Sequence, residues 1–427
     1  GLTMARKMKD SGIEWIGEIP EGWSIARGKH ILTLLQRAVS STDGVITCFR
    51  DGEVTLRSNR REDGFTVSLK EIGYQGIEPG DLVVHGMDGF AGSIGISDSR
   101  GKSSPVLVVL DSSQDKKYLM YYLRSMAYNN VFLALSTGIR VRSCDLKWNK
   151  LADLLYLVPP IVEQHKLVSF LDEKCSEIDA MLSKTRSSIE EYKKLKQAVI
   201  TQAVTKGVRG EREMKDSGVE WIGEIPKEFD SVQLKFFCKL ITDGTHFSPN
   251  TVETGLPYIT AGDVHGIGLD YNSAKRISEE DFQLLVAQGC QPLKGDVLLV
   301  KDGATTGRVG FVDSDTPCVI LSSVAMLRPA DNTDGHYLMY LLASDFLQKQ
   351  ILVSMAGSAM PRTTLTKLTK YIGLLPSLHE QKEIADYLDA KCAEIDKLIA
   401  KKEQLVKELE SYKKSLIYEV VTGKREV

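Results

Sequence analysis

Three features are scarce in this chain of 427 residues: paired cysteines, long apolar runs and an excess of basic charge. The seven cysteines form no Cys-x-x-Cys pair, and their odd, scattered set argues against both a zinc site and a disulfide framework. No apolar run reaches the roughly 18 residues that a membrane span needs, and the first ten residues lack an apolar signal core. We therefore expect a cytoplasmic protein with no metal site and no membrane partner.

The net charge of −3 gives no overall basic excess that would announce a nucleic-acid partner. Residues 1–158 hold 20 Lys and Arg against 18 Asp and Glu, whereas residues 208–377 hold 16 against 21. Any polyanion would have to be bound by local basic patches. The 42% of hydrophobic residues is nevertheless ordinary for a folded protein, and the length predicts roughly two to four folding units.

Catalytic motifs are also missing. The segment 95–103 resembles a phosphate-binding loop, but its first glycine stands one residue too early, so we interpret it as a turn between strands. His379 and Glu380 begin like a zinc-protease motif, but residue 383 is Glu rather than His, and we expect a helix start instead. With no Gly-x-Ser-x-Gly elbow and no dinucleotide fingerprint, we expect a non-catalytic chain without a cofactor.

The chain does contain an internal repeat. Residues 8–20 and 214–226 differ at one position only, and residues 159–179 match residues 376–396 at Pro, Glu-Gln, Leu-Asp, Lys-Cys and Glu-Ile-Asp. Between these flanks a fainter skeleton survives, in which Gly80-Asp81 corresponds to Gly295-Asp296 and Asp88-Gly89 to Asp302-Gly303. Similar ends around dissimilar middles indicate one architecture that carries two different specificities.

Between the repeated flanks, short apolar runs bounded by Gly, Asp, Ser or Pro predict a β-rich domain in each half of the chain. Each domain is also predicted to contain one helix, at 117–130 in the first and 335–350 in the second. The segments that follow have apolar residues spaced by seven and predict two helices of roughly 40 residues that end near Gly207 and Gly423. Each narrow apolar seam needs a partner helix, and the other copy is the obvious candidate. Trp15 and Trp221, in the repeated segment, are expected to be packing anchors.

Basic residues and polar turns in the two middles supply candidates for nucleic-acid contact. Arginine can neutralise phosphate and can also bind guanine edges with two hydrogen bonds, and loops on a rigid domain are where such residues usually lie. A stretch of arginines begins at Arg50, and a solvated charged surface is the alternative interpretation. The candidates are Arg57, Arg60, Arg61, Arg140, Arg142, Lys147, Thr245, His246, Lys301, Arg308, Arg362 and Lys367.

This layout resembles the specificity subunit of type I restriction-modification enzymes. The resemblance rests on the two Ser-Gly-x-Glu-Trp-Ile-Gly-Glu-Ile-Pro segments, on residues 295–312 with their fainter first-half copy, and on the two Glu-Gln segments. It implies two target-recognition domains, each reading one half of a bipartite site in double-stranded DNA. It also implies two methyltransferase subunits and further motor-nuclease subunits as partners, to which methyl transfer and ATP-driven cleavage belong.

The expected fold class is therefore α+β, with two β-rich domains in tandem, separated by two long antiparallel coiled-coil helices in a pseudo-twofold arrangement. We predict target-recognition domains at 1–158 and 208–375 and conserved helical spacers at 159–207 and 376–427. Two rival functions stay open from the residues alone. One is a coiled-coil adaptor for protein partners, and the other is an enzyme such as a nuclease or methyltransferase.

Overall fold

The computed structural model describes residues 6–61, 63–65, 70–134, 145–357 and 359–427. Two compact units share the chain. Unit 1 combines Gly1–Arg186 with Gln404–Val427, and unit 2 is Ser187–Glu403. Both boundaries fall inside a long helix, so each unit contains a globular part and a portion of each helix. The predicted mixture of helices and sheets is confirmed.

Unit 1 is built on a small antiparallel sheet with a helix against it. Its strands are β1 (Met8–Asp10), β2 (Glu18–Pro20), β3 (Ser24–Arg27), β4 (Leu32–Leu34), β5 (Ile46–Cys48), β6 (Val54–Leu56), β7 (Gln75–Ile77), β8 (Leu82–His85), β9 (Ile94–Ile96), β10 (Gly101–Ser103), β11 (Leu107–Ser112) and β12 (Leu155–Val158). Its shorter helices are α1 (Gly28–Ile31), α2 (Lys116–Tyr128), α3 (Val131–Ala134) and α4 (Trp148–Asp153).

The central sheet of unit 1 has the order β4-β11-β8-β9 and is antiparallel throughout. Both of its faces are covered, which explains why β8 and β11 are continuous apolar runs rather than alternating ones. Leu82 and Val84 pack into the cluster that contains α2, while Val83 and Val109 pack into a second cluster with β5. Within the segment 95–103, residues 97–100 form a turn that connects β9 to β10, as predicted.

The helix α5 (Ile161–Lys206) then runs for 46 residues through the boundary of the units. Unit 2 continues with β13 (Met214–Asp216), β14 (Glu224–Pro226), β15 (Asp230–Gln233), β16 (Cys238–Asp243), β17 (Thr251–Val252), β18 (Leu256–Ile259), β19 (Gly266–Ile267), β20 (Lys275–Ile277), α6 (Glu279–Ala287), β21 (Val297–Val300), β22 (Val309–Phe311), β23 (Val319–Ile320), β24 (Val324–Pro329), α7 (Gly335–Ala343), α8 (Asp345–Ser354), α9 (Leu365–Leu368) and β25 (Ile372–Leu375). The helix α10 (Leu378–Val421) has 44 residues.

Unit 2 repeats the central arrangement and adds to it. A five-stranded sheet of order β16-β24-β21-β22-β19 buries Val297 and Leu299 on the α7 side and Leu298 and Val300 on the other. A further sheet, β17-β20-β18-β23, packs with α6 around Phe282. The common sheet and helix therefore carry different additional structure in the two units.

The helix predictions are confirmed in three of four cases. The two long helices end where the sequence indicates, because Gly207 and Gly423 adopt φ values of 72° and 71° that favour glycine. The predicted helix 117–130 corresponds to α2. The prediction of one helix over 335–350 is wrong, since Ser344 has extended backbone and separates α7 from α8. Its hydroxyl donates a 2.6 Å hydrogen bond to the Leu341 carbonyl at the end of α7.

The repeated residues form joints between each globular part and its long helices. Gln164 accepts a hydrogen bond from the Asp115 backbone N–H at the start of α2, and Gln381 accepts one from Asp334 at the start of α7, both at 2.9 Å. The predicted helix start at His379 and Glu380 is confirmed, since α10 begins at Leu378, and the Glu380 carboxylate is buried and paired with Arg212. These contacts explain why the Glu-Gln segments recur.

The two repeated tryptophans differ in their packing. Trp15 is partly buried, and its ring lies 6.2 Å from that of Tyr122. Trp221 is 54% exposed, so the expectation of a packing anchor is wrong for the second copy. In the recurring Tyr-Leu-Met-Tyr segment, the counterpart of Tyr122 is Leu341, which offers no aromatic ring to the tryptophan.

Candidate nucleic-acid interface

Three separate segments of unit 2 meet in one line of alternating charges, which we call the charged chain of unit 2. Its members are His246, Asp243, Lys301, Asp302 and Arg362. The His246 Nε2 lies 3.6 Å from Asp243 Oδ2, and the Lys301 Nζ lies 3.4 Å from the same oxygen. Lys301 Nζ is also 3.0 Å from Asp302 Oδ2, whose Oδ1 lies 3.0 Å from Arg362 Nε. Three predicted site residues are thus connected.

Exposure distinguishes the middle of the charged chain from its ends. The Lys301 side chain is 4% exposed, whereas His246 and Arg362 are 74% and 60% exposed. A buried ammonium between two carboxylates is stabilised by both of them. This placement favours a positioning role for Lys301 over the direct contact that the sequence suggested, and it leaves the outer groups available to a ligand.

The turn that carries His246 is held in place by the buried residues Gly244 and Thr245. Thr245 is buried, and its Oγ1 accepts the Phe247 N–H at 2.9 Å. The Thr245 N–H donates to the Ile320 carbonyl at 3.0 Å, and a Cβ added to Gly244 would lie 2.0 Å from that carbonyl oxygen. Glycine is therefore required at 244. Thr245, a predicted contact residue, lies beneath the surface and holds the turn.

The other two candidates of unit 2 lie at its surface. Arg308 is exposed and directly follows Gly307, which has a φ of 96°. Lys367 is exposed, and its Nζ donates to the Ser354 carbonyl at 2.6 Å. Thr363 connects this region to the charged chain of unit 2, because its N–H donates to the Lys301 carbonyl at 2.8 Å.

In unit 1 the three neighbouring arginines pack on aromatic rings. The guanidinium carbon of Arg57 lies 4.2 Å from the centre of the Phe65 ring, and that of Arg61 lies 5.1 Å from the same ring. Arg60 lies 4.1 Å above Phe49. Stacked guanidinium groups keep their charge while their side chains lose freedom to move. The arginine stretch is therefore an ordered basic cluster.

Arg60 is held more strongly than its neighbours. It pairs with Asp51 at 2.7 Å and Glu53 at 3.0 Å, and the hydrogen bond that it donates to Asp51 raises the pKa of its guanidinium. Lys147 is 74% exposed and pairs with Asp145 at 2.9 Å. The predicted contacts Arg140 and Arg142 lie outside the residues that the structure describes.

In both units, the aspartate of the repeated Asp-Gly pair binds an exposed arginine, a pairing that the sequence did not predict. Asp88 accepts a 3.1 Å hydrogen bond from the exposed Arg50, and its counterpart Asp302 forms an ion pair with Arg362 at 3.0 Å. Each arginine comes from a different part of its unit. The matching Asp-Gly pairs in the repeat were the available signal, but the partner arginines are not in matching positions of the sequence.

The thiols in and near these surfaces are poorly suited to nucleophilic chemistry. Burial raises the pKa of Cys48, Cys238 and Cys318 to about 12, so the thiolate is scarce at neutral pH.

Within the described ranges, no group of three or more His, Cys, Asp or Glu side chains could hold a metal ion. Over the same part of the chain, the structure has no helix long and apolar enough to cross a membrane.

Comparison with known proteins agrees with these features. The family model "Type I restriction modification DNA specificity domain" matches residues 226–408. The MjaVIII specificity subunit of Methanocaldococcus jannaschii is 26% identical over 76% of this chain and 74% of its own. A putative MjaX specificity subunit from the same organism is 23% identical over 96% and 95%. Along most of its length the chain is therefore similar to type I restriction-modification specificity subunits.

A solved structure supports the same fold. It comes from a study of complex assembly and conformational transition of the type I restriction-modification system, and the likeness covers 95% of this chain and 99% of that one. The TM-score is 0.72 at 16% sequence identity. The family resemblance predicted from the repeat is therefore confirmed, and specificity subunits of this family are generally non-catalytic.

Proposed function

We propose that this chain is the DNA-recognition subunit of a type I restriction-modification complex and that it reads a bipartite site. The observation that carries the proposal is the charged chain of unit 2, which brings His246 and Arg362 from distant segments to one exposed surface. Loops held on a sheet are a suitable framework for contacting base edges, while exposed cations neutralise phosphates.

Each globular part reads one half of the site. Residues 1–158 form the first target-recognition domain and residues 208–375 the second. The central sheet is similar in both, but the arginine cluster around Phe65 is found in unit 1 and the additional sheet with α6 in unit 2. A shared framework with different surface structure supports two different half-sites.

The helical spacers, 159–207 and 376–427, set the distance between the half-sites and bind the methyltransferase subunits. At 1.5 Å per residue, helices of 46 and 44 residues are about 65–70 Å long. Within unit 1, Asp179 pairs with Lys413 and Arg186 with Glu410, so the two helices run in opposite directions there. These pairs support an antiparallel coiled coil.

The chemistry belongs to partner subunits in this proposal. Two methyltransferase subunits bind the helices and modify the site, and motor-nuclease subunits join through that core. The high thiol pKa values of Cys48, Cys238 and Cys318 and the pairing of Glu380 with Arg212 make these particular groups poor candidates for catalysis. The purified chain should therefore show no cleavage or methyl transfer when it is incubated alone with DNA, metal ion and methyl donor.

Selection from random duplex DNA tests the proposal directly. The full chain is expected to enrich two short conserved blocks separated by a spacer of fixed length. Its affinity should fall steeply with salt, because phosphate contacts release counterions. An adaptor for protein partners would enrich no sequence and show no such salt dependence.

A fragment ending near Gly210 provides a second test. It contains one repeated tryptophan segment, one globular part and one long helix, so two copies are expected to pair. The paired fragment should select an inverted repeat of the first half-site. A monomeric fragment without palindromic preference, measured by sizing and the same selection, would contradict the assignment of one half-site to each domain.

A further inference from the structure

Phe247 stands at the tip of the turn in unit 2 and belongs to none of the basic groups discussed above. We propose that its ring contacts the C5 methyl group of a thymine in the major groove and so determines one base pair of the half-site. The inference rests on the proposed function, because it names a specificity-determining residue within the DNA-recognition surface.

The first argument is the rigidity of the turn. Its exposed residues, 246–248, stand between the buried Gly244 and Thr245 on one side and the buried Pro249 on the other. The Thr245 Oγ1 accepts from the Phe247 N–H at 2.9 Å and donates to the Phe247 carbonyl at 3.2 Å. The backbone of Phe247 is thus fixed at both of its polar groups, so little ordering entropy remains to be lost on binding.

The second argument is the position of this aromatic ring next to exposed polar groups. Phe247 is 49% exposed, and the adjacent His246 is 74% exposed and 3.6 Å from Asp243. A single exposed phenylalanine is not unusual by itself. Here, however, it is presented on the same fixed turn as a candidate base-contacting histidine, and that turn is joined through Asp243 and Lys301 to the exposed Arg362.

The third argument identifies the ligand group. Thymine is distinguished in the major groove by its methyl group, which apolar side chains such as phenylalanine contact. About half of the Phe247 surface is already covered by protein. The exposed face of the ring is suited to contacting a projecting methyl group. Insertion of the ring between stacked bases would need a side chain that projects almost completely from the protein.

Thymine-to-uracil replacement tests the contact, since it removes only the methyl group. Duplexes selected by the wild-type full chain would be made with each thymine of the second half-site replaced in turn by uracil. We expect one replacement to weaken wild-type binding about fivefold, in keeping with the loss of one apolar base contact. The Phe247→Ala chain should bind the thymine and uracil duplexes equally well.

A matched control is available in the same unit. Phe236 is 57% exposed and lies at the end of the short helix Leu234–Phe236, away from the turn in sequence. Phe236→Ala should keep the wild-type response to uracil and the wild-type selected sequence. Phe247→Leu, which retains an apolar side chain, should keep part of the discrimination. Thermal unfolding of each variant checks that the fold is retained.

The outcomes distinguish this inference from the proposed function. If the wild-type chain selects no sequence, the DNA-recognition proposal fails and the role of Phe247 falls with it. If the wild-type chain selects a site but no thymine responds to uracil, or Phe247→Ala responds as the wild type does, the methyl contact is wrong while the proposed function stands. If Phe247→Ala loses the uracil response while Phe236→Ala keeps it, the contact is established.

Discussion

The hydroxyl of Tyr340 donates a 2.6 Å hydrogen bond to Oδ1 of Asp389 and ties α7 to the long helix α10. The other carboxylate oxygen of Asp389 lies 2.7 Å from His336 Nδ1. Unit 1 has the same arrangement, in which Tyr121 and Lys117 bind Asp172 on α5 at 2.8 and 2.6 Å. One aspartate on each long helix thus holds a tyrosine and a basic residue of the globular part.

Replacing Asp389 by alanine should weaken this attachment. The Tyr340 hydroxyl would remain largely buried without its acceptor, a loss of about 1–3 kcal/mol. We expect a lower free energy of unfolding for unit 2 in urea titrations. Asp386→Ala, on the exposed side of the same helix, should change it by less than about 0.5 kcal/mol. Equal effects of the two variants would contradict the role given to Asp389.

The hydrogen bonds of Tyr340 and Tyr121 to the long helices also predict a loss of stability in alkali. Burial, and then the hydrogen bond to Asp389, raises the pKa of Tyr340, and burial and Asp172 do the same for Tyr121. The unfolded chain therefore releases these protons first as the pH rises through about 10. Stability is fully present below that pH and decreases above it.

Urea unfolding between about pH 8 and pH 11 measures this dependence, since it spans the pKa of unfolded tyrosine. Tyr340→Phe and Tyr121→Phe should each lower stability at pH 8 but show a shallower decrease above pH 10. An unchanged slope in both variants would mean that these hydroxyls are not responsible.

The long helices and the repeat could be predicted because their signals are local. Apolar residues spaced by seven and a glycine that adopts a positive φ, as at Gly207 and Gly423, act through neighbouring residues of one segment. The position of Ser344 gave no comparable signal. Serine is tolerated within helices as well as at their ends, and the end of α7 is decided by tertiary contacts.

The site could be predicted only in part, because exposure depends on residues far away in sequence. Lys301, Arg308 and Arg362 are all basic residues near glycine or proline, yet only Lys301 is enclosed by Asp243 and Asp302. Phe247 was missed because an apolar residue is ordinarily assigned to the core. Its neighbours Thr245 and His246, already chosen as candidates, were the signal that could have identified it.

Lys301 and Arg362 should respond differently to substitution. Lys301→Met leaves Asp243 and Asp302 without their shared cation, and we expect a loss of about 2 kcal/mol or more in the free energy of unfolding. Arg362→Ala should leave stability nearly unchanged and reduce the slope of log affinity against log salt by about one, as expected for one lost phosphate contact. Urea titrations and DNA binding at several salt concentrations measure the two effects.

Lys239→Ala is the control for Arg362→Ala, since Lys239 is another exposed basic residue of unit 2. It should leave the salt slope unchanged. A stable Lys301→Met chain with a reduced salt slope would reverse our assignment and restore Lys301 as a direct contact.

In the second of the repeated Gly-Asp pairs, the buried Asp296 is predicted to be important for the stability of unit 2. Asp296 is buried, accepts two hydrogen bonds from Arg328 at 3.0 and 2.8 Å, and accepts the Leu293 N–H at 2.8 Å. Asp296→Ala leaves Arg328 without its partner, and we expect a loss of about 3 kcal/mol or more. Calorimetry should show a lower unfolding temperature, whereas Asp313→Ala, an exposed aspartate of the same unit, should leave it nearly unchanged.

The spacing role of the helices makes the last prediction. Removing residues 183–189 from α5 and 401–407 from α10 deletes one heptad from each helix and preserves the register of the apolar seam. The helices become about 10 Å shorter, which is roughly three base pairs along DNA. Selection from random duplexes should then give the same two half-sites with a shorter spacer. Affinity should also fall, because a spacer shortened by three base pairs rotates one half-site about the DNA axis relative to the other. A spacer of unchanged length would show that helix length does not determine the distance between the half-sites.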